Sequence, residues 1–135
     1  TEIWPMLSPD GRRIAYQANE SGRSEIYVQN FPATGGKWQI STNGGTEPMW
    51  RGDGKEIYYR APDQQLTAVE IEGSGGTFQA GTPRALFAGK FQPGTARNRY
   101  LPAPDGQRFL FVSPLGRDSM SPTTVVLNWF AELGQ

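Results

Sequence analysis

Apolar and polar positions alternate along this chain in short runs that end at Gly, Pro, Asp or Asn, and no stretch keeps the spacing of an amphipathic helix. A period of two is that of strands whose successive side chains point to opposite faces of a sheet. The plainest run pairs read as hairpins. Pro5-Met6-Leu7 leads through Ser8-Pro9-Asp10-Gly11 to Arg13-Ile14-Ala15-Tyr16. In such a turn Pro presets φ, Asp bonds its own backbone, and Gly supplies the left-handed conformation that returns the chain to the sheet. Third strands are expected over Glu25 to Phe31, Leu66 to Glu72 and Thr123 to Trp129, with weaker fourth strands over Lys37 to Ser41 and Arg84 to Phe87.

The hairpin recurs. Pro48-Met49-Trp50-Arg51-Gly52-Asp53-Gly54-Lys55-Glu56-Ile57-Tyr58-Tyr59 repeats the pattern of Pro5 to Tyr16 at an offset of 43 residues. Tyr100-Leu101-Pro102-Ala103-Pro104-Asp105-Gly106-Gln107-Arg108-Phe109-Leu110-Phe111 repeats it 52 residues further on, the added length falling around Lys90 to Arg97. Four strands returning at this period make a propeller blade and not a helical solenoid unit. A β-sandwich would space its strands as evenly, but it does not require one hairpin sequence three times. The expected fold is all-β, with three four-stranded antiparallel propeller blades at about residues 1–45, 46–90 and 91–135, the last blade incomplete.

Composition then narrows the chemistry. A length of 135 residues suits one folding unit, and 17 Gly with 11 Pro suit many strands joined by tight turns. Thirteen Lys plus Arg balance thirteen Asp plus Glu with no stretch of one sign, so nucleic acid is not an expected partner. Cys is absent, which excludes disulfides and thiolate metal sites. His is absent as well, removing the usual general base, the Ser-His-Asp and Cys-His arrangements and the commonest zinc ligand. No apolar run approaches the roughly 20 residues of a membrane-spanning helix, so no membrane insertion is expected. The sequence opens on Thr1 directly before a strand pattern, as a piece of a longer protein would.

Several residue groups resemble functional sites. Arg51-Gly52-Asp53 spells an adhesive tripeptide, yet it occupies the turn where the first repeat has Ser8-Pro9-Asp10, and a turn role is expected. Ser24 has no His to activate it and no Gly-x-Ser-x-Gly elbow around it. Asp10, Asp53 and Asp105 recur as turn formers and are expected to lie apart in different blades, which disfavours a carboxylate pair. No cofactor or metal is expected, Glu47 being a lone rim carboxylate. Trp50, Trp38, Phe31, Phe78 and Phe87 are expected to pack between blades, and Trp129 and Phe130 to mark an exposed edge.

Ser8-Pro9-Asp10-Gly11, Ile14-Ala15-Tyr16 and Glu25-Ile26-Tyr27-Val28 resemble the WD40-like Pro-Asp repeat of the TolB family, over nearly the whole chain. The second repeat departs from that pattern at Arg51-Gly52 and the third at Leu101-Pro102-Ala103. The closing Val125-Val126-Leu127-Asn128-Trp129 is also similar to the end of propellers appended to bacterial serine/threonine kinases. The resemblance implies a six-bladed ring of which this chain supplies half, a central channel whose mouth receives a peptide or small ligand, and an extracytoplasmic bacterial address. It implies architecture more than activity.

Aligning the repeats singles out positions that differ. Trp4, Glu47 and Arg99 occupy one equivalent place at the entry to the innermost strand, and Arg97 and Asn98 precede Arg99 in the longest insertion. These five residues read as a ligand-binding channel mouth, with an ordinary solvated loop as the alternative for the insertion. The function expected is a non-catalytic module for protein, peptide or small-ligand recognition, or the sensory end of a larger chain. The alternative is an accessory propeller domain of a hydrolase of the prolyl-oligopeptidase type. Three blades leave two raw faces, so a homodimer closing a six-bladed ring is expected, with Ile14, Tyr16, Phe109 and Phe111 on those faces.

Overall fold

The computed structural model describes residues 2–33, 35–73, 78–88 and 100–111, with side chains from residue 5 onward. β1 (Glu2–Leu7), β2 (Arg13–Ala18), β3 (Glu25–Asn30) and β4 (Lys37–Gln39) form a four-stranded antiparallel sheet in chain order. β5 (Thr46–Trp50), β6 (Glu56–Arg60) and β7 (Gln65–Glu72) repeat that connectivity. β7 also carries β8 (Gln79–Ala80) and β9 (Arg84–Ala88). β10 (Tyr100–Pro102) and β11 (Phe109–Phe111) pair as the third hairpin. The fourth strand expected over Arg84 to Phe87 is thus one half of an outer strand interrupted at Gly81, Thr82 and Pro83, where Pro83 has no N–H to give a ladder. The strand expected over Thr123 to Trp129, with Trp129 and Phe130, lies outside the described residues.

One turn closes all three hairpins. Gly11, Gly54 and Gly106 donate their N–H to Ser8, Arg51 and Ala103 carbonyls at 2.9, 2.8 and 2.9 Å. Asp10, Asp53 and Asp105 each accept the N–H two residues on, at 3.0, 2.9 and 2.9 Å. The glycines sit at φ of +74°, +73° and +72°, as the turn requires. The repeat does not announce a fourth copy, which joins β6 to β7. Gln64 donates to the Ala61 carbonyl at 3.0 Å and Gln65 to Asp63 at 3.1 Å, but the left-handed position is filled by Gln64 at φ +71°.

The middle sheet is apolar on both faces. Ile57, Tyr59, Val69 and Ile71, with Trp50, pack against Ala15, Ile26 and Val28 of the first sheet. Tyr58, Leu66 and Ala68 point the other way, onto Tyr100, Phe109 and Phe111. The Trp50 indole N–H donates to the Met6 carbonyl at 2.9 Å, Trp38 stacks on Phe78 at 4.4 Å, and Phe87 meets Phe109 and Phe111 edge-on at 5.8 and 5.7 Å. These four aromatics pack as expected, but Phe31 does not. It is 48% exposed, because it follows the last residue of β3 and so lies past the buried faces.

The raw faces also differ from expectation. Tyr16, Phe109 and Phe111 are buried and Ile14 is half-buried. Strand alternation explains the third hairpin: Phe109 and Phe111 face the middle sheet, leaving Leu101 and Leu110 on the other side, 41% and 37% exposed. On the first sheet Tyr16 stacks with Tyr27 at 5.9 Å, and Leu7 is 53% exposed.

Gln64→Gly relieves a left-handed non-glycine residue and is expected to raise stability by about 1 kcal/mol in urea melts, whereas Gly11→Gln lowers it by a similar amount. Equal midpoints for the two variants would contradict the shared turn.

Candidate functional site

A second repeated irregularity shapes the entry to the innermost strands. β1 pairs Ile3 with Gln17 and Met6 with Ala15, while β5 pairs Thr46 with Arg60 and Met49 with Tyr58. In each strand two residues, Trp4-Pro5 and Glu47-Pro48, stand opposite a single partner residue, Tyr16 or Tyr59. That is a β-bulge, a device that re-aims a side chain, and proline suits it because it cannot donate to the ladder. Glu47 takes φ +58° within the bulge.

Around Glu47 the three sheets are joined by polar contacts. Its N–H donates to Gln17 Oε1 at 3.2 Å, and its carbonyl accepts the Tyr100 hydroxyl at 2.7 Å. Its carboxylate lies 3.3 Å from Arg60 Nε, which also donates to Thr46 Oγ1 at 3.2 Å. Gln17 in turn donates to Ser24 Oγ at 3.3 Å. Tyr100 is fully buried, and burial, followed by the nearby Glu47 charge, pushes its hydroxyl pKa well above the ordinary value. A pocket of about 210 Å³ opens beside this knot, lined by Arg23, Ser24, Thr46, Arg60 and Gln64 among others.

Of the five residues expected at a channel mouth, only Glu47 has a described side chain. Trp4 takes the equivalent bulge position in β1, and Arg97, Asn98 and Arg99 lie outside the described residues. Glu47 is 6% exposed and ion-paired, so reversing its charge strikes folding first, contrary to the expectation for an open rim. The same alignment could have found Gln17 and Arg60: they are equivalent to each other, they differ, and they face the two bulged strands.

The other candidate groups have structural partners. Arg51 grips Asp53 with two hydrogen bonds, at 2.8 and 2.9 Å, and reaches Glu56 at 3.3 Å, so the charges of Arg51-Gly52-Asp53 are turned on each other. Ser24 accepts from Gln17, and Glu25 behind it is buried, holding Arg23 at 2.9 Å, the Gly44 N–H at 2.8 Å and the Ser41 hydroxyl. Asp10 accepts the Ser8 hydroxyl at 2.7 Å. Asp10 and Asp53 stand in the turns of different sheets, and both border one cleft.

Two outcomes follow for mutants. Glu47→Lys places a second cation beside Arg60 in a buried site and is expected to cost about 3 kcal/mol by urea denaturation; a loss below about 0.5 kcal/mol would return Glu47 to a solvated rim. The hydrogen bond from Ser8 lowers the Asp10 pKa, and the bonds from Arg51 lower that of Asp53, both below the ordinary 3.8. Their contribution is complete above that value and disappears as pH falls through the lower folded pKa. Asp10→Asn/Asp53→Asn should therefore lose less stability than the parent between about pH 5 and about pH 2.

No protein-family model matches the chain, and no curated protein matches it. Among solved structures it is similar to a "putative TolB" from Agrobacterium tumefaciens, with a TM-score of 0.56 and 18% identity over 82% of this chain and 38% of that one. The chain therefore spans well under half the length of that relative. With its repeated antiparallel sheets, it has the all-β fold of a TolB-like β-propeller.

Proposed function

We propose that the chain is a non-catalytic recognition module that takes a peptide or protein partner where the innermost strands enter, and that a second copy completes a six-bladed ring. The repeated bulge carries the reading. Two sheets keep the same backbone irregularity with unlike residues at it, Trp4 and Glu47, and in the second sheet the buried Glu47 holds Arg60 beside the pocket at that end. The pocket beside Arg60 supports a polar ligand at that end. Leu7 on the first sheet and Leu101 with Leu110 on the third hairpin supply the apolar surface that a second copy would cover.

Selection of a displayed random heptapeptide library on the purified chain tests recognition. Enriched peptides should bind the parent and lose binding to Arg99→Glu at an unchanged melting temperature, and equal binding would overturn the site. Light scattering tests the ring separately. Two chains per particle are expected, and a concentration-independent single-chain mass with cooperative unfolding would remove it.

A further inference from the structure

Equivalent positions of the repeats point to fixed sides of the stack. Trp50 and Ile57 of the second repeat pack toward the first sheet, and Phe109, the counterpart of Ile57, packs toward the second. In the other direction, Met6 and Ala15 pack toward the second sheet, and Met49 and Tyr58 toward the third hairpin. At the two ends of the stack the same order leaves Leu7, the counterpart of Trp50, on one raw face. It leaves Leu101 and Leu110, the counterparts of Met6 and Ala15, on the other. All three are exposed, so apolar residues stand open at the positions that the internal seam buries.

Polar links also cross both internal seams. Trp50 donates to the Met6 carbonyl at 2.9 Å and the Glu47 N–H to Gln17 at 3.2 Å, joining the first and second sheets. Gly52 donates its N–H to the Pro104 carbonyl at 3.1 Å, so closely that a Cβ on Gly52 would stand 2.7 Å from that oxygen. The Tyr100 hydroxyl donates to the Glu47 carbonyl at 2.7 Å. Where the third repeat of one copy meets the first repeat of another, each link loses a partner. Leu7 replaces Trp50, Pro104 replaces Gly52, Pro5 replaces Tyr100, and Val112 replaces the acceptor Gln17.

We infer that Leu7 of each copy packs against Leu101 and Leu110 of the other, and that these two apolar seams are where the ring opens; the inference rests on the two-copy ring proposed above. Apolar contact gives such a seam cohesion without direction, because the four links that fix one sheet on the next are missing from it. The internal seams keep theirs. The ring therefore parts into folded copies before any copy unfolds.

Sedimentation equilibrium on the full chain and its Leu7 variants tests the seam. Leu7→Trp supplies the missing indole N–H to the Leu101 carbonyl at both seams, so it should pair copies about tenfold more tightly than Leu7→Phe, which adds a ring without the donor. The sequence has no Cys, so a Leu7→Cys chain mixed with a Leu101→Cys chain should be joined by a short bismaleimide. Either chain alone should not be joined, since a two-fold axis sets like residues on opposite sides of the ring. Isotopically labelled and unlabelled parent dimers should exchange copies faster than the chain unfolds. A parent dimer that Leu7→Trp and Leu7→Phe tighten equally, or that cross-links no better in the mixture than alone, overturns the seam and leaves a two-copy assembly standing. Exchange no faster than unfolding overturns the opening. A parent that stays a single chain at every concentration, and that Leu7→Trp does not pair, removes ring and seam together. If Leu7→Trp does not fold, the cross-link decides.

Discussion

Because β6 and β7 are apolar on both faces, the middle sheet is stable only between two others, and that requirement places the rest of the molecule. Alternate residues of one strand serve different neighbours, so a one-residue slip would bring each set of side chains to the wrong seam. The polar links between sheets are left to the strand ends. Trp50 reaches Met6, Glu47 reaches Gln17, Gly52 reaches Pro104, and Tyr100 reaches Glu47. Apolar contact gives the stack its cohesion, and these few directional bonds fix how one sheet is turned on the next.

Burial changes the character of the inner end. A carboxylate with so little exposure needs a cation, and Arg60 supplies it from the neighbouring strand of the same sheet. Arg60 pairs with Thr46 next to the bulge, so the irregularity that holds Glu47 also brings its counter-charge within reach. Pro5 and Pro48 mark the same place in the sequence, since a residue that cannot donate to a ladder is tolerated where the ladder is interrupted.

Much of the fold was legible because its signals are local. The Pro-Asp-Gly turn, the alternation of β2 and β3 and the recurrence of the hairpin depend on residues close in sequence, and these elements lie where expected. Phe109 and Phe111 face the middle sheet and not the outer face expected of them, because alternation separates two faces without saying which neighbour each one meets. The turn at Gln64 was hidden since its left-handed residue is not glycine. At the inner end, the place of Glu47 could be read from the repeat alignment. Its burial could not, because Arg60, Gln17 and Tyr100 converge on it from other strands.

The contact between Gly52 and Pro104 also bears on the order of the repeats. Each repeat looks like a copy of one plan, yet Gly52 leaves no room for a side chain, and its counterpart in the first repeat is Pro9. Exchanging the first two repeats would set a proline ring against Pro104 and remove the N–H that now bonds it. The blades are therefore not interchangeable modules. Their sequence of assembly is written into a single missing methyl group.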